Sequence, residues 1–213
     1  MSIDVKICGL KDEVSVDAAV KGGAAMIGLV FFPKSPRFIS IKRASKLTIR
    51  APKDIICVGL VVDADDKWLA EIVEGAGINM LQLHGRETPE RVRNIRQKFG
   101  LPVIKSLPIQ EPGDEVFAYE FEDFVEYIMF DSKPPKNSDR PGGNANAFDW
   151  SLLSSSEFTF PWILAGGLTA ENVGEAVKTS GAKIVDVSSG VEDTSGRKNI
   201  EKIQYFLTAS AAL

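Results

Sequence analysis

Short apolar runs recur along the chain, separated by stretches in which apolar positions fall three and four apart. The runs predict eight strands, at residues 4–8, 26–31, 56–61, 80–84, 103–105, 127–131, 162–165 and 184–188. Most are continuously apolar rather than alternating, the pattern of strands covered on both faces, as in a parallel sheet flanked by helices. The intervening segments carry helix starts. Asp12 precedes Val16, Ala19 and Val20; Ser40 precedes Ala44 and Leu47; Asp65 precedes Leu69, Ile72 and Val73. Thr88 with Pro89 precedes Val92 and Ile95, and Thr169 precedes Val173, Ala176 and Val177. Each offers an N-cap oxygen ahead of an amphipathic face. Gly22, Gly75 and Gly100 stand where such helices stop. The fifth helix is poorly marked, because Glu111-Pro112-Gly113-Asp114 breaks the chain ahead of the aromatic stretch 117–124.

Dividing 213 residues by eight gives about 27 per strand-plus-helix unit, close to the ~30 of a βαβ repeat. The expected fold is α/β, a (β/α)8 TIM barrel, with residues 1–213 as a single domain. An open doubly wound sheet also alternates strand and helix. It is disfavoured because no GxGxxG follows the first strand, while glycine-rich turns crowd the last two units.

Composition narrows the partners. The chain is 44% apolar and 25% charged, with net charge -4, so it has a core to bury and lacks the basic field that nucleic acid or an anionic membrane requires. The longest apolar stretch, residues 24–32, is far short of a bilayer crossing, and the charged residues of MSIDVKICGL argue against a secretory leader. Cys8, Cys57 and the single histidine, His84, form no metal-ligand spacing and no disulfide framework. The expectation is a protein of a reducing cytoplasm without structural zinc.

In a (β/α)8 barrel chemistry collects at the C-terminal ends of the strands. Cys8 ends the first strand and precedes Gly9. It is either a small buried hydrophobe or a thiolate base or nucleophile, and a free thiol is only about 3% ionised at pH 7, so the second reading needs an electropositive setting. Lys6 does not supply that setting if it faces outward. Cys57, at the start of the third strand, is read as inert. Asp131 ends the sixth strand, either capping a loop or standing as an acid at the mouth. Arg37, in the proline-bearing loop after the second strand, is either solvated or a bidentate carboxylate ligand. Asp63 is similarly open. His84, at the end of the fourth strand, either holds its loop or moves a proton.

Glycines in Ala165-Gly166-Gly167-Leu168 and Ser188-Ser189-Gly190-Val191 close the last two strands. They allow a ligand to reach backbone N–H groups, a combination suited to phosphate. The polar stretch 133–147 is the expected position of a lid.

Taken in order, Lys6-Ile7-Cys8-Gly9, Ser35-Pro36-Arg37, Leu81-Gln82-Leu83-His84-Gly85, Asp131-Ser132 with Gly142-Gly143 and Phe148-Asp149-Trp150, Ala165-Gly166-Gly167-Leu168 with Asn172-Val173, and Val185-Asp186-Val187-Ser188-Ser189-Gly190-Val191-Glu192 resemble the phosphoribosylanthranilate isomerases, through essentially the whole chain. The resemblance implies a cofactor-free Amadori rearrangement of a phosphorylated small molecule in tryptophan biosynthesis, by a monomer or homodimer. On matching positions it implies Cys8 as general base, Asp131 as general acid and Arg37 as carboxylate ligand. Gly166, Gly167, Ser189 and Gly190 would bind phosphate, and His84 and Asp186 would line the site. One departure falls at Ala145 and Asn146, where the family usually has a glycine and often a basic residue. Two competing functions are the related histidine-pathway isomerase, which would be expected to use two carboxylates, and a non-catalytic barrel that binds a phosphorylated metabolite.

Overall fold

The computed structural model describes residues 3–134, 142, 147–154 and 158–213. Eight parallel strands close into a barrel in sequence order: β1 (Asp4–Cys8), β2 (Met26–Val30), β3 (Ile56–Val61), β4 (Met80–Leu83), β5 (Val103–Ile109), β6 (Tyr127–Ser132), β7 (Trp162–Leu164) and β8 (Ile184–Val187). β1 pairs with β2 on one side and β8 on the other, so the first and last strands complete the ring. The barrel interior holds Met26, Val58, Met80, Ile104, Met129, Ile163 and Ala165. Ile7, Ile27, Leu29, Leu81 and Val185 belong to the larger core beneath the helices. Successive residues of each strand thus serve two apolar environments, which is why the runs lack alternation.

Four helix starts have the caps read from the sequence. Asp12, Ser40, Asp65 and Thr88 accept hydrogen bonds from backbone N–H groups at the heads of α1 (Glu13–Lys21), α2 (Ile41–Thr48), α3 (Asp66–Gly75) and α4 (Pro89–Phe99). The fifth start differs: α5 (Val173–Ser180) begins after Asn172, not Thr169. The Asn172 side chain instead accepts from Thr169 N and donates to Gly167 O, which shapes the loop before the helix. α6 (Ile200–Ala211) closes the ring of helices, packing Ile203, Phe206 and Leu207 inward.

Two units carry no α-helix among the described residues. After β5 the chain forms 3-10 turns at Asp114–Glu120 and Glu122–Phe124, and after β6 another at Trp150–Leu153. Gly113, at φ 98°, and the preceding proline prevent a continuous helix, and the Asp114 carboxylate accepts from Gln110 N and Glu111 N. β5 also runs four residues beyond its expected end, to Ile109, with Pro108 opposite Asp131 of β6. A short antiparallel hairpin, β9 (Glu192–Thr194) with β10 (Arg197–Lys198), follows β8 and was not expected.

Buried charge fixes the loops over the barrel mouth. Lys105 Nζ donates to Gly85 O at 2.8 Å and Glu87 Oε2 at 2.7 Å, while Glu87 accepts from Asp63 N and Gly85 N. Asp63, at φ 46°, accepts from Arg86 N at 2.6 Å, which makes it a loop cap.

Candidate active site

A cavity opens at the C-terminal ends of the strands, lined among others by Cys8, Arg37, His84, Asp131, Gly142 and Asp186. It brings together five of the nine sequence-derived site residues. The other four, Gly166, Gly167, Ser189 and Gly190, lie in the loops after β7 and β8.

Cys8 is 4% exposed at the end of β1. Gly28 beside it on β2 has no side chain for a reason: a Cβ there would lie 2.8 Å from Cys8 Sγ. Gly9, at φ 81°, turns the chain away, and a Cβ on it would meet Arg37 Cδ at 2.6 Å, so the arginine stem packs against this backbone. Burial pushes the Cys8 thiol up, opposed by the Lys6 ammonium, and Asp186 adds to the upward push. Lys6 does not face outward, the case in which it would be unsuitable. Lys6 is 0% exposed, two residues before Cys8 on the same face of β1, and its Nζ lies 2.6 Å from Asp186 Oδ1.

Asp131, at 7% exposure, ends β6. Its Oδ1 accepts from Ser132 N at 2.8 Å, and its Oδ2 lies 3.3 Å from His84 Nε2. Gln82 Nε2 stands 2.9 Å from His84 Nδ1, directing the Nε2 side of the ring at Asp131. Gly142 fits against both groups: a Cβ there would lie 2.4 Å from His84 Nε2 and 2.8 Å from Asp131 Oδ2. The remainder of the expected lid, including Ala145 and Asn146, lies largely outside the described residues.

Arg37 is buried rather than solvated, and forms a two-pronged pair with Glu192: Nε–Oε1 2.8 Å and Nη2–Oε2 2.9 Å. Lys198 Nζ donates to the same Oε1 at 2.8 Å and to Ser188 O at 2.8 Å. Burial opposes charge on Glu192, but the Arg37 hydrogen bonds and the Lys198 ammonium outweigh it and bring the carboxyl down to about 2. Sequence reasoning gave Glu192 and Lys198 no role. The available signal was Glu192 closing the VDVSSGVE motif, but nothing local tied it to Arg37.

The two glycine loops touch. Gly166 and Gly167 have φ of 88° and 64°, and a Cβ on Gly190 would fall 1.9 Å from Leu168 O. Only glycine permits that approach. Cys57 lies far from this chemistry in the chain register, bonded through its N–H to Asn79 Oδ1, and burial pushes its thiol up to about 11. Among the described residues no group of three or more His, Cys, Asp or Glu is placed to hold a metal, and no helix is long and apolar enough to cross a membrane.

A closed (β/α)8 barrel with a thiol and a carboxyl on opposite sides of one mouth defines an enzyme of the acid–base kind. Comparison with known proteins makes this specific. Residues 5–209 match the family model for N-(5'phosphoribosyl)anthranilate (PRA) isomerase. The N-(5'-phosphoribosyl)anthranilate isomerase of Paramagnetospirillum magneticum is 49% identical over 210 residues, covering 99% of this chain and 98% of that protein. The crystal structure of phosphoribosyl anthranilate isomerase from Thermotoga maritima superimposes with a TM-score of 0.89 at 32% identity, over 99% of this chain and 100% of the other. A phosphoribosyl anthranilate isomerase crystallised with reduced 1-(o-carboxyphenylamino)-1-deoxyribulose 5-phosphate gives 0.86 at 31%, over 99% and 100%. The chain belongs to the N-(5'-phosphoribosyl)anthranilate isomerase family.

Proposed function

We propose that this barrel, as a single domain, isomerises N-(5'-phosphoribosyl)anthranilate to 1-(2-carboxyphenylamino)-1-deoxyribulose 5-phosphate in tryptophan biosynthesis, with Asp131 as general acid and Cys8 as general base. The observation that carries the residue roles is that β1 and β6 deliver these two side chains to one cavity. Asp131 gives its proton to the ribose ring oxygen, the C1'–O bond breaks, and the anthranilate nitrogen lone pair forms the C=N bond of a Schiff-base cation. The Cys8 thiolate then takes the C2' proton, the C–H electrons become the C1'=C2' bond of an enolamine, and the cation is discharged. Ketonisation moves the enol proton to C1' and completes a reaction without net oxidation.

Each step meets a group suited to it. The cation forms beside Cys8 and favours its thiolate at the moment a base is needed. The abutting loops at Gly166, Gly167, Ser189 and Gly190 offer backbone N–H groups to the substrate phosphate. Arg37, held in plane by Glu192, takes the anthranilate carboxylate. Two buried free thiols suit a cytoplasmic location.

The test follows the decay of substrate fluorescence with wild type, Cys8→Ser and Asp131→Asn. Each substitution lowers kcat by at least ~100-fold. Wild-type turnover in either variant removes that residue from the mechanism.

A further inference from the structure

We propose that Lys6 is a positioning residue for the Cys8 base: its ammonium, held inside the barrel by Asp186 on the strand face that carries Cys8, sets how readily the sulfur becomes a thiolate. The inference deepens the proposed reaction and rests on Cys8 being its base.

The surroundings make the pair conspicuous. Lys6 is in register with Met26 on one side and Asp186 on the other, and the interior layers around it are otherwise built of Met, Val and Ile. A fully buried ion pair in such a place is a poor device for stability, since desolvating both ions offsets their attraction and an apolar pair of similar volume serves as well. Its chemistry lies in what else the ammonium touches. Lys6 Nζ bonds Asp186 Oδ1 at 2.6 Å, Lys6 and Cys8 lie two apart on one face of β1, and Cys8 and Asp186 line the same cavity. Cation, carboxylate and thiol therefore form a group with no net charge at rest. When the sulfur loses its proton, the ammonium on the same strand face favours the new charge, whereas Asp186 opposes it.

Among the described residues, the charged and titratable groups facing this cluster are few. Asp186 comes from β8 and Lys198 from β10, while Arg37, His84 and Asp131 stand around the same cavity. Lys198 shares Glu192 with Arg37 and donates to Ser188, so Lys6 is the cation whose charge weighs most on the sulfur.

The test reads the pH dependence of Cys8 alkylation by iodoacetamide, followed on its own peptide by mass spectrometry, alongside the pH profile of kcat/KM. Lys6→Met moves the Cys8 midpoint upward by about one unit or more, slowing alkylation at pH 8 roughly tenfold. Asp186→Asn moves it downward, and Lys6→Arg stays nearer wild type than Lys6→Met. General loosening would shift both neutral variants the same way, so opposite signs are the discriminating result. If Lys6→Met does not fold, Asp186→Asn decides alone, and the absence of a downward shift overturns the proposal. The double variant Lys6→Met/Asp186→Leu keeps the fold, by circular dichroism, and loses turnover; wild-type turnover in it also overturns the proposal. An active Cys8→Ser variant would instead remove the base assignment, and leaves the alkylation midpoints to report on Lys6.

Discussion

Arg37 and Glu192, 155 positions apart, meet in two parallel hydrogen bonds inside the barrel mouth. The pair fixes the guanidinium plane and joins the loop after β2 to the hairpin after β8. Glu192 ordinarily ionises near 4.5 and here does so at about 2, so folding stabilises its charged form. A depressed carboxyl contributes fully above its unfolded value and loses that contribution as pH falls through its folded one. The window here runs from about pH 4.5 down to about 2, for a contribution of ~3 kcal/mol. Thermal melts of wild type and Glu192→Gln should differ most above pH 5 and converge toward pH 2. A gap that stays constant across this range would show that the linkage is absent.

Gly142→Ala should damage turnover without unfolding the protein. The new methyl would occupy space held by His84 Nε2 and Asp131 Oδ2. Displacing an acid by about 1 Å can cost ~100-fold. Steady-state kinetics should show kcat reduced by at least tenfold with an unchanged melting temperature; unaltered kcat would exclude a tight fit at this glycine.

Gly190→Ala addresses the phosphate loops. A Cβ at 1.9 Å from Leu168 O must push the two loops apart. The expected result is a higher KM and a weaker inhibition constant for inorganic phosphate, with kcat less affected. Phosphate that fails to compete with substrate even in the wild type would count against this site.

Cys57→Ala should leave kcat within twofold of wild type and cost about 1 kcal/mol of stability or less, as its side chain contributes only packing. Alkylation of the native variant then reports on a single thiol. A large fall in activity would place Cys57 in the chemistry.

The strands were legible to within a residue or two at most ends, because continuous apolar runs leave little choice of period. β5 is the exception: Ser106 and Pro108 interrupt its apolar pattern, yet pairing with β6 carries it to Ile109. Helix caps were legible where an oxygen side chain closes its own turn. At Thr169 the helix begins three residues later, after Asn172, whose side chain bonds back to Thr169 N and Gly167 O rather than capping the helix. Within the site, Cys8 and Asp131 were readable from strand ends. The direction of Lys6 was left open although the signal was present, since residues two apart on a strand share a face, and a Cys8 facing the mouth requires an inward Lys6. Glu192 and Lys198 were not readable, because the hairpin that carries them is too short to leave a pattern.

Lys6 on β1 and Asp186 on β8 face each other across the junction that completes the ring, where Ser188 Oγ also donates to the Cys8 carbonyl. The reactive sulfur therefore acquires its surroundings only when the two extremities of the fold have docked. Recovery of activity during renaturation is accordingly a direct clock for that docking, and a chain cut before β8 would be catalytically silent however well its remaining strands assemble.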